Sequence, residues 1–390
     1  MMMPMVPRGG GCHKGVVYHI LRTMRVVIDA VPLLVRSAGV KNYLFHWIAH
    51  LRQQAGASVI GTFPPLEDLG ALSHQTSVAG RWRTFRGLAA LALANYTPLP
   101  VLDWMSAGAD IFHAGTLIHR PPRRRLLTAT VYDMTCWLMP ELHPAANLRA
   151  ERSFAELVRA AAGLIAISEC TKNDAVRVLG LQPEKITVIY PGIADSFFDP
   201  DPAAVADVRA RYELPRPFVL FVGTIEPRKN VDALLDAFAG LPPSLREQYE
   251  LVIAGPSGWA RSETKARLQT IRYLGYVPEA DLPALTAAAA VFAYPSLYEG
   301  FGFPVAQAMA AGAPVVTSNL SSLPEVTGDT AVLVDPRSVS ELQAGLSRLL
   351  ESESLRADLA ARARARAERF RWPECAAQSL AFFRKVAGKP

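Results

Sequence analysis

The sequence predicts an α/β protein built as two doubly wound, Rossmann-like parallel sheets facing each other across a cleft. Three observations predict it. At roughly 150 residues per domain, the 390 residues make two or three domains. The apolar segments are short and continuous rather than alternating, as in strands buried on both faces of a parallel sheet, and helical patterns separate them. Six such runs fall in each half, on either side of a Pro- and Asp-rich stretch, "DPDPAAVADVRARYELPRP" (199–217), that reads as a linker.

In chain order, "MMMPMVPRGGGCHKGVVYHILRT" (1–23) has an apolar centre too short for a spanning helix and no small-residue cleavage pattern. It is expected to be a disordered extension, an overcalled start, with the fold beginning near Met24. The first domain, 24–198, holds "MRVVIDAV", "ASVIGTF", "ADIFHAG", "LLTATVYD", "GLIAISE" and "KITVIYPG". The second, 218–371, holds "FVLFVGT", "ELVIAG", "IRYLGYV", "VFAYPS", "APVVTSN" and "AVLVD". Half the residues are hydrophobic, enough for large cores, and the net charge of +6 is mild for this length. That excess fits nucleotides, phosphates or an anionic membrane, without singling out nucleic acid. The four cysteines (Cys12, Cys136, Cys170, Cys375) show no C-x-x-C spacing, which argues against a zinc site or disulfide framework and for a reducing cytoplasm.

In doubly wound sheets ligands bind beyond the carboxyl ends of the strands, and the unusual polar residues lie there. "GTIEPRKN", Gly223 to Asn230, follows one strand and opens a helix. Two cations at a helix N-terminus are unfavourable by roughly 0.3–1 kcal/mol each, so Arg228 and Lys229 call for an anion. A diphosphate suits a forked guanidinium and a point charge; the alternative is a loop whose charges meet solvent or Glu226. In "YEGFGFPVAQAMAAG", Gly300 and Gly302 let the backbone approach a ligand and form an anion nest with the helix start. Glu299 would be repelled by phosphate and is expected to accept from sugar hydroxyls, unless it only caps the helix. Gly39 precedes an amphipathic helix after the first strand, a weak phosphate-loop pattern. His113 and the pair Tyr132 and Asp133 close two strands; a lone His is more often structural, but two polar strand ends on one cleft favour function. Finally, Arg81, Arg83 and Arg86 interleave with Trp82 and Phe85, and Arg120 and Arg123, Arg124 and Arg125 follow. These suit an anionic membrane surface or a solvated face.

Together these stretches, with "PSLYEGFGFPVAQAMAAGAPVVTSNLSSLPEVTGDTAVLVDP", "AISECTKNDAVRVLG", "VIYPGIADSFF" and "FRWPECAAQSLAFFRKV", resemble the retaining glycosyltransferases of family 4, which have the two-domain GT-B fold. The likeness covers nearly the whole chain after Met24. Its style is closest to the bacterial branch that includes mannosyl- and rhamnosyltransferases of surface-polysaccharide assembly. The resemblance implies a nucleoside diphosphate sugar donor, with GDP-mannose the best single guess, a glycan or lipid-linked acceptor, and no metal or other cofactor. Arg228 and Lys229 would hold the diphosphate, Glu299 the donor sugar, residue 307 the ribose, and Gly39, Gly223, Gly300, Phe301 and Gly302 would line the donor. His113, Tyr132 and Asp133 would lie on the acceptor or sugar side. Glu325 stands where the family usually has Glu, and residues 372–390 would form a helix crossing back to the first domain. The protein would be cytoplasmic, peripheral on the inner face of the membrane.

Three departures stand out: Gln307 replaces the second Glu of the family's E-x7-E pattern, Tyr132 replaces its usual His, and Lys41 replaces a second Gly. Glu to Gln trades a charge-assisted for a neutral hydrogen bond, a loss of about 1 kcal/mol. Tyr132 can still donate to a sugar hydroxyl, and Lys41 would add a cation near the phosphates. The expected reaction is glycosyl transfer with retention, with Arg228, Lys229 and two helix N-termini stabilising the departing diphosphate. Two other classes stay open: a nucleotide-sugar-binding protein of weak or no activity, and a sugar-nucleotide epimerase of the same fold. A nucleic-acid binder fits least, because the basic residues form no contiguous stripe.

Overall fold

The structure is a computed structural model that describes residues 24–37, 39–259 and 261–388; the expected extension 1–23 lies outside the described residues. All twelve apolar runs form strands. The first sheet comprises β1 (Val26–Asp29), β2 (Ile60–Phe63), β3 (Ile111–Ala114), β4 (Leu126–Val131), β5 (Gly163–Ala166) and β6 (Ile186–Val188). The second comprises β7 (Phe218–Val222), β8 (Glu250–Ala254), β9 (Arg272–Gly275), β10 (Val291–Tyr294), β11 (Val315–Ser318) and β12 (Val332–Val334). Every ladder is parallel. Strands such as β3, β5, β10 and β11 are buried at each position, which is why their sequences do not alternate.

The strand orders are β2-β1-β3-β4-β5-β6 and β12-β11-β10-β7-β8-β9. Each sheet therefore reverses its winding once, between β1 and β3 in the first and between β7 and β10 in the second. At such a reversal the connections leave to opposite sides and open a crevice beyond the strand ends.

The stretch 199–217 contains more than a linker. Asp201 accepts from the Ala203 amide and caps a helix, Pro202–Arg211, that has proline in its first turn. Arg211 and Tyr212 then reach Asp281 of the second half at 2.6 and 2.7 Å. The final helix, Trp372–Ala387, lies along the helix Gly39–Ala55 of the first half. Trp47 Nε1 donates to Ser379 Oγ at 2.9 Å, and Gln54 Nε2 to the Pro373 carbonyl at 2.7 Å. Trp47 and Trp372 are both fully buried there, each contributing on the order of 2–3 kcal/mol of apolar burial. Gly192 permits this crossing, since a Cβ on it would fall 2.4 Å from the Trp372 nitrogen.

Candidate active site

The reversal between β7 and β10 carries a buried ionic network. After β7 the chain makes a one-turn 3-10 helix, Pro227–Lys229, and Asn230 then takes a left-handed conformation (φ 57°) to start the helix Val231–Ala239. The turn docks on the end of β10, where Leu297 N donates to the Arg228 carbonyl at 2.8 Å. Both cations thereby point at Glu299. Lys229 Nζ lies 2.5 Å from Glu299 Oε1 and donates to Tyr294 Oη at 2.7 Å. Arg228 Nη1 lies 3.2 Å from Glu299 Oε2 and donates to the Tyr298 carbonyl at 2.7 Å. Arg228 Nη2 donates to Glu226 Oε1 at 2.6 Å, and Ser296 Oγ to Glu299 Oε1 at 2.6 Å.

Glu226, Lys229 and Glu299 are each under 10% exposed. Burial alone would push the Glu299 carboxyl up, but Lys229 and Arg228 overturn that and hold it at about 2. Burial pulls Arg228 down, yet Glu299, Glu226 and Asp133 leave it well above the usual arginine value. Lys229 is drawn below the ordinary lysine value by burial and by neighbouring Arg228. Two cations and two carboxylates thus balance one another. The sequence assigned Glu299 to sugar hydroxyls and a diphosphate to the cations; in the structure Glu299 and Glu226 are counter-anions, and among the described residues Glu299 Oε2 meets only Arg228.

The glycines place backbone where no side chain fits. Gly223 follows β7, and a Cβ on Gly255 would come within 2.0 Å of its carbonyl. A Cβ on Gly300 would lie 1.9 Å from the Tyr132 carbonyl, so the two halves touch there backbone to backbone. Ser168 Oγ and Thr171 Oγ1 donate across the same seam to the Gly300 carbonyl at 2.6 and 3.1 Å. Phe301 is buried against Phe303 and Phe370, and Gly302 (φ 93°) starts the helix Phe303–Ala310. Gln307 sits half-buried on that helix, its side chain without a protein hydrogen bond among the described residues. Glu325 closes the seam: it accepts from the Glu169 and Cys170 amides at 2.7 and 3.0 Å and from Tyr190 Oη at 2.7 Å. That is a carboxylate at the N-terminus of the helix Glu169–Leu179, where the helix dipole favours it.

The first half corrects several expectations. His113 faces the core instead of the cleft. Its ring nitrogens are 2.9 Å from Thr128 Oγ1 and Thr130 Oγ1, and Trp47 and Phe383 pack edge-on against it. Burial pushes it down to about 3, so the imidazole is neutral. Lys41 does not approach the donor side; it is buried and donates to the Ser73 and Thr76 carbonyls at 3.0 and 2.7 Å, tying down the loop after β2. Gly39 begins its helix exposed, and a Cβ there would meet nothing within 4 Å, so no close approach calls for the glycine. The Tyr132 ring packs edge-on against Tyr43 and, with Asp29, His113, Gly115 and Thr116, lines a cavity of only about 10 Å³. Asp133 does face the seam: Thr135 N and Oγ1 donate to its Oδ1 at 3.0 and 2.6 Å, and its charge acts on Arg228.

Three residues at the cleft were not singled out from the sequence. Glu226 entered only as an alternative partner. Trp259, in the loop after β8, donates from Nε1 to the Leu142 carbonyl at 3.2 Å; the strand-end rule applied to "IAGPSGW" would have found it. His143 buries both ring nitrogens without a partner among the described residues, and its position well beyond β4 carried no signal.

Away from the cleft, the basic and aromatic stretch forms the helix Arg81–Tyr96. Trp82 is 80% exposed and Phe85 66%, among exposed Arg81, Arg83 and Arg86. Arg120 donates to the Thr97 carbonyl, and Asp103 accepts from the Arg123 and Arg124 amides, so Arg120, Arg123, Arg124, Arg125 and exposed Trp104 adjoin that helix's end. Among the described residues no helix is long and apolar enough to cross a membrane.

Two facing Rossmann-like sheets, a paired cation turn and a buried carboxylate at the winding reversal define the class: a glycosyltransferase of the GT-B fold. Comparison with known proteins places the chain within it. Residues 38–197 match the family model described as "Glycosyltransferase Family 4" and residues 208–366 the one described as "Glycosyl transferases group 1". The chain is 32% identical over 378 residues to O-antigen chain mannosyltransferase B of Escherichia coli, covering 92% of this chain and 98% of that protein. It is 30% identical over 242 residues to the serotype-specific mannosyltransferase WbdA of Escherichia coli, covering 60% of this chain and 30% of that one. Sucrose-phosphate synthase from Thermosynechococcus elongatus shares the fold, with a TM-score of 0.72 at 20% identity over 94% of this chain and 99% of that chain. The chain belongs to glycosyltransferase family 4.

Proposed function

We propose that this glycosyltransferase moves a mannosyl group, with retention, from GDP-mannose to a glycan or lipid-linked acceptor in surface-polysaccharide assembly. The observation that carries the reading is the pair Arg228 and Lys229, buried at the reversal between β7 and β10 and balanced only by carboxylates of the site. The mannosyltransferase relatives support the sugar. In the reaction the bond from sugar C1 to the β-phosphate oxygen breaks and the nucleoside diphosphate leaves. The acceptor oxygen bonds to C1 on the same face, and its proton passes to the departing phosphate. Arg228 and Lys229 stabilise the charge that develops on that phosphate without a metal. Glu299, held ionised, keeps both cations aimed and offers Oε2 to a donor hydroxyl. Gln307 accepts from the ribose.

Thermal unfolding with a panel of nucleotide sugars tests the donor. GDP-mannose at 100 times its dissociation constant should add ~2.7 kcal/mol, and stabilisation by a uridine or thymidine sugar alone would reject it. The double variant R228A/K229A should collapse turnover; wild-type rates would reject the mechanism. The acceptor is brought by a membrane surface docking on the helix Arg81–Tyr96. Vesicles containing anionic phospholipid should sediment the protein, and W82A/F85A should release it.

A further inference from the structure

Trp259 and His143 belong to different halves: Trp259 reaches across the seam to Leu142, the residue before His143, and His143 feels the charges of the ionic network. The Trp259 indole is pinned by its hydrogen bond to the Leu142 carbonyl, 3.2 Å away, yet remains 42% exposed. A large aromatic face held still and left open is the surface on which a sugar ring stacks. His143 is the next residue after Leu142, in a turn closed by its own amide on the Pro140 carbonyl at 3.2 Å. Both its ring nitrogens are shielded from water and have no hydrogen-bond partner among the described residues. Buried polar groups are nearly always paired, so such an imidazole signals a missing ligand group. Burial and the Arg228 charge hold the ring below its usual value against the opposing Asp133, Glu226 and Glu141 carboxylates, leaving one nitrogen to donate and one to accept. Arg228 Nε, in the network itself, is likewise buried and without a partner among the described residues. A donor and an acceptor on one residue, next in the chain to the carbonyl that holds the aromatic face, match a pyranoside with adjacent hydroxyls.

We propose that Trp259 and His143 form, across the seam, the subsite for the acceptor's terminal sugar ring. The open Trp259 face suits an incoming glycan rather than a donor sugar enclosed against Glu299 and Gly300. The proposal rests on the glycosyl-transfer reading, so its test keeps donor and acceptor apart. Saturation-transfer NMR on the full chain with GDP reports nucleotide and methyl α-mannoside signals separately. Both signals are expected for the wild type. In H143A and in W259A the glycoside signal should vanish while the nucleotide signal persists, and H143Q should restore part of it. In transfer assays the acceptor KM should rise about tenfold in each variant, with the donor KM unchanged. A glycoside signal that survives both substitutions, or is absent from the wild type, overturns the subsite. A rise in donor KM alone moves it to the donor and also overturns it. Loss of the nucleotide signal in the wild type would instead strike the donor reading.

Discussion

The two sheets reverse their winding at the same kind of place and use it in opposite ways. At the β7/β10 reversal, Glu226, Arg228, Lys229, Ser296 and Glu299 lock into one charged network. At the β1/β3 reversal, Asp29 is a buried carboxylate with no cation beside it among the described residues. One oxygen accepts from the Val31 amide at 3.0 Å, and the other lies against Gly115, whose backbone offers only a weak opposing pull. Burial pushes Asp29 up to about 7, while the equally enclosed Glu299 sits at about 2. Burial acts the same way on both; the neighbouring charges decide the outcome. One reversal is a preorganised charge site, and the other is packed shut around a cavity with room for no more than a water.

The largest test of that contrast is E299Q. It removes the carboxylate that both Arg228 and Lys229 contact, leaving Glu226 and the more distant Asp133 against two cations and so an undercompensated buried charge. Breaking a buried pair from one side costs about 3–5 kcal/mol, to be read from urea unfolding, and turnover should fall with it. The pH dependence has a definite sign. The Glu299 pKa lies below its unbound value of 4.5, so its contribution is complete above that pH and is lost as pH falls towards 2. If E299Q is as stable as wild type at pH 7, the network is not the built charge site described.

Asp29 should behave in the opposite sense. Its folded pKa is raised, so the fold favours the protonated form, and stability from this group declines as pH rises from 3.8 to about 7. D29N removes that titration. The stability of D29N relative to wild type should therefore climb by a few kcal/mol across this window, whatever its value at the acid end. Chemical unfolding at a series of pH values measures it, and a flat difference would mean Asp29 has a hidden partner.

The same contrast explains what could be read from the sequence. All twelve strands were legible, because burial on both faces of a parallel sheet writes itself as continuous Val, Ile and Leu. Arg228, Lys229 and Glu299 were legible as a convergence, since each lies just beyond a strand and the two strands adjoin at the reversal. Their pairing with one another was not: strand neighbours in β12-β11-β10-β7-β8-β9 are far apart in the chain, and an exposed ligand partner and a buried protein partner leave the same local sequence. His113 misled because a polar residue in an apolar strand can point along the sheet's face, and Lys41 because a lysine in the first turn of a helix can turn back to the carbonyls of a neighbouring loop. Thr128 and Thr130, spaced by two on β4, supply the partners that make His113 structural. The helix Pro202–Arg211 was hidden by the prolines in and around it, one of which marks its start.

The smallest expected effect sharpens the donor side. Gln307 lies in the second turn of the helix Phe303–Ala310, one helical turn past the Gly302 start, half-buried and free of protein hydrogen bonds among the described residues. It therefore constrains nothing in the fold, and Q307E should leave stability in the absence of nucleotide nearly unchanged. A carboxylate there would accept from ribose hydroxyls through charge-assisted bonds, each worth more than the neutral bond an amide makes. The difference is about 1 kcal/mol, or roughly a factor of five to ten in affinity. Calorimetric titration with GDP should show that tightening, with kcat little altered, because the ribose is equally bound before and during transfer. A new carboxylate would also lie in the same half as Glu226 and Glu299. If their repulsion with the diphosphate outweighs the ribose contact, Q307E binds more weakly. That would mean the amide balances a network already carrying two carboxylates, and the ribose assignment of residue 307 would fall.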